Sequence, residues 1–292
     1  MDFSRALGTD HSETLPRMPS WVTSARAERL EDAAFLSGAA LSHLHLLMAR
    51  NDVPVALIRA RLALRAAEAC VKFSGRPERA GALRDAVHFL RPGDLPGPAG
   101  EVYLSWLRAV ARPVRSLGRA LPAVEGDRIA DCLNAGQGAP VCRAARVLEA
   151  AMMATGRQEG PALILADAAL SQALGLDYVT PLLATGLKRA DLRKDGEELR
   201  RACHRAVVAS VVETARLAAD LTRRAKHVKA VAPKLRAKGA GEAVEMFLTR
   251  DAVAAAALPL PPRAARRLCD RLVDLGALRE LTGRDTFRLY GV

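Results

Sequence analysis

The chain has 292 residues, half of them apolar, 26% charged and only 4% aromatic, and its 44 Lys and Arg against 32 Asp and Glu leave a net charge of +12. That balance excludes wholesale disorder and supplies a sizeable core for one large or two ordinary domains. No uninterrupted apolar stretch reaches the roughly 18 residues of a membrane span, and the first residues lack the apolar run of a secretory signal, so a cytoplasmic protein is expected.

Helical punctuation dominates the chain, and the fold class it predicts is mainly α. A first helix over 25–49 puts Leu30, Ala34, Ser37, Leu41, Leu44 and Met48 on one face, widened by Phe35, Leu36, Leu46 and Leu47. The next, over 53–73, has Pro54 in its first turn and stops at Ser74-Gly75. Pro77 opens a shorter helix that ends before Arg91. The segment 91–100, with three prolines and three glycines, reads as an irregular connector. Further helices follow over 101–111, 123–135, 140–155 and 161–174, with a short one after Thr180-Pro181, several of them bracketed by proline before and glycine after. Asp195 with Glu198 three residues on resembles a capping box, and nothing then interrupts until Pro233, so the longest helix is expected over 196–231.

The end of that helix carries the densest charge. Arg223, Arg224, Lys226, Lys229, Lys234, Arg236 and Lys238 fall within 222–238 without a single acid. Two readings stand: a phosphate-contacting arm, or a solvated helix end whose cations complement the macrodipole, followed by a charged linker.

After Gly239-Ala240-Gly241 the pattern changes. Short helical runs at 242–248 and 251–258 precede Pro259-Leu260-Pro261-Pro262. A helix over 263–278 then sets Leu268, Leu272 and Leu275 opposite Arg263, Arg266, Arg267, Asp270, Arg271 and Asp274. Strand-like runs at 277–281 and 286–290 flank Thr282-Gly283-Arg284-Asp285, which reads as a hairpin. Three helices and a hairpin are the order of a winged helix, whose third helix enters the major groove while the wing touches the backbone. The candidate DNA contacts are therefore Arg263, Arg266, Arg267, Arg271 and Arg284, joined by Arg223, Arg224, Lys226 and Lys229 from the basic tract. Two observations hold the rival reading open, a solvated or protein-binding surface. The Arg and Asp of 266–274 have the spacing of helix ion pairs, and 239–292 carries eight Lys and Arg against seven Asp and Glu, a balance of only +1.

The cadence Arg267, Leu268, Leu272, Leu275, Gly276, Leu278, Glu280, Thr282, Gly283, Arg284 and Tyr290 resembles the C-terminal winged helix of several bacterial families, Fic-type proteins among them. Taken with 31–41 and 91–100, it makes the chain similar to an uncharacterised, often plasmid-borne bacterial family, domain of unknown function 1403, which implies an architecture and an association with plasmids but no reaction. The catalytic His-Pro-Phe loop of Fic proteins is absent, so adenylyl transfer is not implied.

Other chemistry finds little footing. Five cysteines (Cys70, Cys132, Cys142, Cys203, Cys269), odd in number and without a C-x-x-C, suit reduced core thiols. His43 and His45 lie two apart and face different ways, and Cys203-His204 are equally unsuited to a common face. No phosphate-cradling glycine motif occurs. Glu213, an acid in an apolar helix centre, has two readings, a catalytic group or, more plainly, a partner for Arg216 at i+3; Asp32, Asp85 and Asp94 show no spacing that would unite them.

The expected organisation is a poorly ordered segment over 1–24, an all-α body over 25–231, a basic linker over 232–241 and a winged helix over 242–292. No enzyme activity, cofactor or metal is expected; a second rival reading is an enzyme whose site is scattered over the helical body, where sequence spacing does not reveal it. The partner is duplex DNA, or a protein held through the winged helix as in an adaptor of a segregation or defence complex. The body is left for partner contact or self-association, with no membrane involved.

Overall fold

The structure, a computed structural model, describes residues 15–24, 27–122, 124–235 and 239–292. Residues 1–14 of the N-terminal segment, together with Arg236 and Lys238 of the basic tract, lie outside the described residues. Within 15–24 the chain forms a short helix, α1 (Ser20–Ser24), that buries Val22.

The body consists of α2 (Leu30–Met48), α3 (Val55–Phe73), α4 (Ala80–His88), α5 (Gly97–Ala111), α6 (Gly126–Asn134), α7 (Pro140–Ala154), α8 (Glu159–Ala173), α9 (Leu183–Gly186) and α10 (Gly196–Val231). α3 is the hub. It buries apolar side chains on nearly every turn, from Leu57 to Phe73, and touches α4, α5, α8, α9 and α10 as well as the C-terminal unit. α7 packs closely against α8, and α2 against α10. With 36 residues, α10 is about 54 Å long, and its bounds are those expected from the uninterrupted run between Asp195 and Pro233.

Two expectations need correction here. Asp195 occupies the N-cap position of α10 but makes no capping hydrogen bond with its side chain. The free amide of Gly196 instead donates to Glu149 Oε1 on α7, at 3.3 Å. The 91–100 connector is not irregular throughout, because α5 begins at Gly97. Pro98 in its first turn lacks only an N–H that needs no partner there, and Gly100 packs so close to α4 that a Cβ on it would stand 3.2 Å from that of Ala86.

Buried polar groups fix the remaining crossings. Asp167 on α8, wholly buried, accepts the backbone amides of Leu182 and Leu183 through Oδ1 (3.0 and 2.7 Å) and of Ala184 through Oδ2 (3.1 Å). One carboxylate thereby satisfies the free donors that begin α9. α9 then meets α10 backbone to backbone at Gly186, where a Cβ would collide with the carbonyl oxygen of Ala206.

The C-terminal unit comprises α11 (Ala240–Thr249), β1 (Val253–Ala254), a 3-10 turn at Ala255–Ala257, α12 (Pro262–Asp274), β2 (Arg279–Glu280) and β3 (Leu289–Gly291). The three strands form an antiparallel sheet in the order β1-β3-β2, with Val253 opposite Tyr290 and Glu280 opposite Tyr290 from the other side. The expected helical run at 251–258 is therefore a strand and a single 3-10 turn. Pairing with β3 overrides the helical preference of Ala254–Ala257. The hairpin is also wider than a four-residue turn: Leu281 N–H still donates to the Leu289 carbonyl at 2.8 Å, and the loop crosses to β3 through Gly283 and Phe287, both at positive φ.

Asp251, at the break between α11 and β1, fastens this unit to the body. Its side chain is 1% exposed, accepts hydrogen bonds from Arg84 of α4 through Nε at 2.6 Å and Nη2 at 3.1 Å, and forms an ion pair with Arg61 of α3, whose Nε lies 2.6 Å away. Arg61 Nη2 also donates to the Val292 carbonyl at 3.3 Å. Asp251→Asn removes the charge these two arginines share while keeping the shape, and the expected loss of stability is about 3–5 kcal/mol, because two buried cations are left uncompensated; a urea-denaturation change below about 1 kcal/mol would assign Asp251 no such role. Leu272, fully buried on α12, tests packing alone: Leu272→Ala should cost about 2–5 kcal/mol in the same titration.

Candidate functional site

α12 begins with Pro262 in its first turn and divides cleanly by face. Ala265, Leu268, Cys269 and Leu272 are buried, while Arg263, Arg266, Arg267, Asp270, Arg271 and Asp274 are exposed. Among the described residues, Arg263, Arg266, Arg267 and Arg271 take part in no ion pair, although Asp270 and Asp274 stand at helix-neighbour spacing.

Residue order along the helix accounts for this. Every arginine–aspartate combination at i+3 or i+4 on α12 (266–270, 267–270, 271–274) places the arginine first, the less favourable orientation with respect to side-chain direction and helix dipole. On the second half of α10 the acid comes first and pairs form, although among the described residues Glu197 and Glu198 near its start make none with Arg200 and Arg201 at the same spacing. Asp220 holds Arg223 at 2.6 Å and Arg224 at 2.8 Å, and Glu213 holds Arg216 at 2.6 Å. The ion-paired helix face expected as the rival reading is thus found on α10 and not on α12. Glu213 is an exposed surface partner of Arg216, in keeping with the duller of its two readings.

The nine candidate residues separate accordingly. Arg223 and Arg224 are tied to Asp220. Lys226 and Lys229, exposed on the last turns of α10, make no ion pair among the described residues. Arg284 is engaged with the body: it reaches Asp85 on α4 at 2.7 Å, and its guanidinium lies over the Phe89 ring at 5.5 Å. Phe287 meets the same ring edge-on at 5.7 Å. This holds the 281–288 loop against the end of α4, where the sequence reading had offered Arg284 to a phosphate. Four α12 arginines and two α10 lysines make no short-range ion pair among the described residues, although Lys226 lies within electrostatic reach of Asp52. They are linked through His227, whose Nε2–H donates to the Leu275 carbonyl at 3.0 Å and so brings the last turns of α10 to the end of α12.

A cleft of about 780 Å³ opens beside α12. Arg266 and Asp270 line one side, Phe89 and Leu90 another, and Phe287 and Arg288 of the loop a third. Arg266 therefore faces this recess. Arg263, Arg267 and Arg271, four residues apart, share a neighbouring stripe.

Among the described residues no three His, Cys, Asp or Glu side chains come together to hold a metal ion. Asp85 and Asp94 are separately employed, Asp85 on Arg284 and Asp94 as acceptor of the Arg91 amide at 2.9 Å. No described helix is long and apolar enough to cross a membrane. The sequence reading missed one cluster altogether: His204 lies between Ser37 and Cys142, partners 167 and 62 residues away along the chain. No local spacing signals such a meeting.

Over residues 6–292 the chain matches the family described as "Protein of unknown function (DUF1403)", and it belongs to that family. No curated protein matches it.

Proposed function

We propose that this member of the DUF1403 family is a non-enzymatic DNA-binding protein, that its C-terminal unit is a winged helix, and that α12 is the recognition helix. The element order α11, β1, single turn, α12, β2, β3 and the sheet order β1-β3-β2 support the winged helix. The observation that carries the DNA-binding reading is the set of four exposed arginines on α12 that form no ion pair among the described residues. A cation without an internal partner is available to displace counterions from a phosphate backbone, which supplies the bulk of nonspecific affinity. Arg266 and Arg267, in the first half of the helix, are the residues for base or groove contact. Arg263, Arg271, Lys226 and Lys229 are the residues for phosphate.

The loop plays a smaller part than a free wing would, because Arg284 and Phe287 are occupied with α4 and Phe89. The helical body serves partner contact or self-association, and a cytoplasmic role in plasmid maintenance or regulation suits such a protein.

The test is titration of the full chain onto a nonspecific duplex at several salt concentrations. With about four phosphates neutralised, log affinity should fall against log salt with a slope of about −3.6. Arg266→Ala combined with Arg267→Ala should lose discrimination between sequences, whereas replacing Lys226 and Lys229 by Ala should weaken all duplexes alike. Absence of duplex binding at low salt, with no salt dependence, overturns the proposal in favour of an adaptor whose winged helix binds protein.

A further inference from the structure

A group of chemistry-bearing side chains lies far from α12, where α2, α7 and α10 meet. His204 of α10, 3% exposed, has Nδ1 2.6 Å from Ser37 Oγ on α2. The Ser37 hydroxyl donates to the Ala34 carbonyl at 2.9 Å, so its oxygen is left to accept, and the ring proton belongs on Nδ1. The lone pair of Nε2 then faces Cys142 Sγ at 3.6 Å. This is the order found in activated nucleophiles: a thiol against a base, and the base oriented by a third group.

Cys142 itself is placed for reactivity. It is the third residue of α7, and the first backbone bond of that helix runs from the Arg143 amide to the Ala139 carbonyl at 2.8 Å. The thiol therefore sits at the helix N-terminus, where the partial positive charge of the free backbone amides lies. Cys142 is half-buried, whereas Cys70, Cys132, Cys203 and Cys269 are buried.

We propose that Cys142 is a nucleophilic thiol with His204 as its general base, a covalent-modification site for small soft electrophiles. Ser37 is a positioning residue that fixes the imidazole tautomer. Burial holds the His204 pKa down to about 4, so the ring is neutral at pH 7 and its Nε2 lone pair stays turned to the thiol. With iodoacetamide as the electrophile, Cys142 Sγ attacks the methylene carbon. The S–C bond forms as the C–I bond breaks, iodide leaves with the bonding pair, and the thiol proton passes to His204 Nε2 and then to solvent. No oxidant or reductant takes part.

The experiment is a time course of the full chain with limiting iodoacetamide at pH 7, read by peptide mass mapping, with free glutathione as the reference thiol. Cys142 should be carbamidomethylated before the other four cysteines and at least as fast as glutathione, despite its partial burial. In His204→Gln its rate should fall about tenfold or more, while the other four cysteines react as before. A wild-type Cys142 slower than glutathione overturns the proposal, as does a folded His204→Gln variant whose Cys142 rate stays within about twofold of wild type. Should His204→Gln lose its helical circular dichroism, the wild-type comparison with glutathione decides alone.

Discussion

A buried carboxylate shared by two arginines from different helices governs the geometry of the last fifty residues. Removing Asp251 and its partners from water is costly, and the cost is recovered only where the charges meet at short range with good geometry. Arg84 of α4 meets that condition with two hydrogen bonds, and Arg61 of α3 adds its charge at 2.6 Å. Asp251 lies two residues before β1, and Arg61 also holds the carbonyl of Val292, next to β3. The two neighbouring strands of the sheet are thus anchored at one point of the body. α12 packs against the 3-10 turn that directly follows β1, close along the chain to the same anchor.

The helical skeleton was legible because its signals are local. Pro54, Pro140 and Pro262 mark helix starts at positions where a missing amide costs nothing, and the run free of proline and glycine gave α10 its bounds. What could not be read depends on partners distant in sequence. Val253-Ala254 lies in an alanine-rich stretch whose propensity is helical, and only the arrival of β3 about thirty-five residues later makes it a strand. Arg284 looked free because Asp85 is 199 residues away. His204 looked idle because its neighbour Cys203 points into the core, while its true partners come from α2 and α7.

The charge pattern of α12 is a different case, because its meaning was present in the sequence. The order of acid and base within a helical pair biases the choice between a paired face and an available one, and the second half of α10 and α12 differ in that order and in their pairing. Asp220-x-x-Arg223-Arg224 folds into a closed triad. Arg266-Arg267-x-x-Asp270 does not.

Seen this way, the balance of +1 over the C-terminal unit understates its field. One of the seven acids, Asp251, is withdrawn from the surface and neutralised by arginines of the body. Glu280 is turned onto the backbone amides of Thr282 and Gly283 at 2.7 and 2.8 Å. Arg263, Arg267 and Arg271 recur every four residues along about 12 Å of helix, while Asp270 and Asp274 follow Arg266 on the adjacent stripe toward the cleft. A polyanion approaching α12 meets an unbroken row of cations on one side and a mixed row on the other. Affinity of that kind is set by which cations lack an internal partner, and the whole-chain charge of +12 cannot report it.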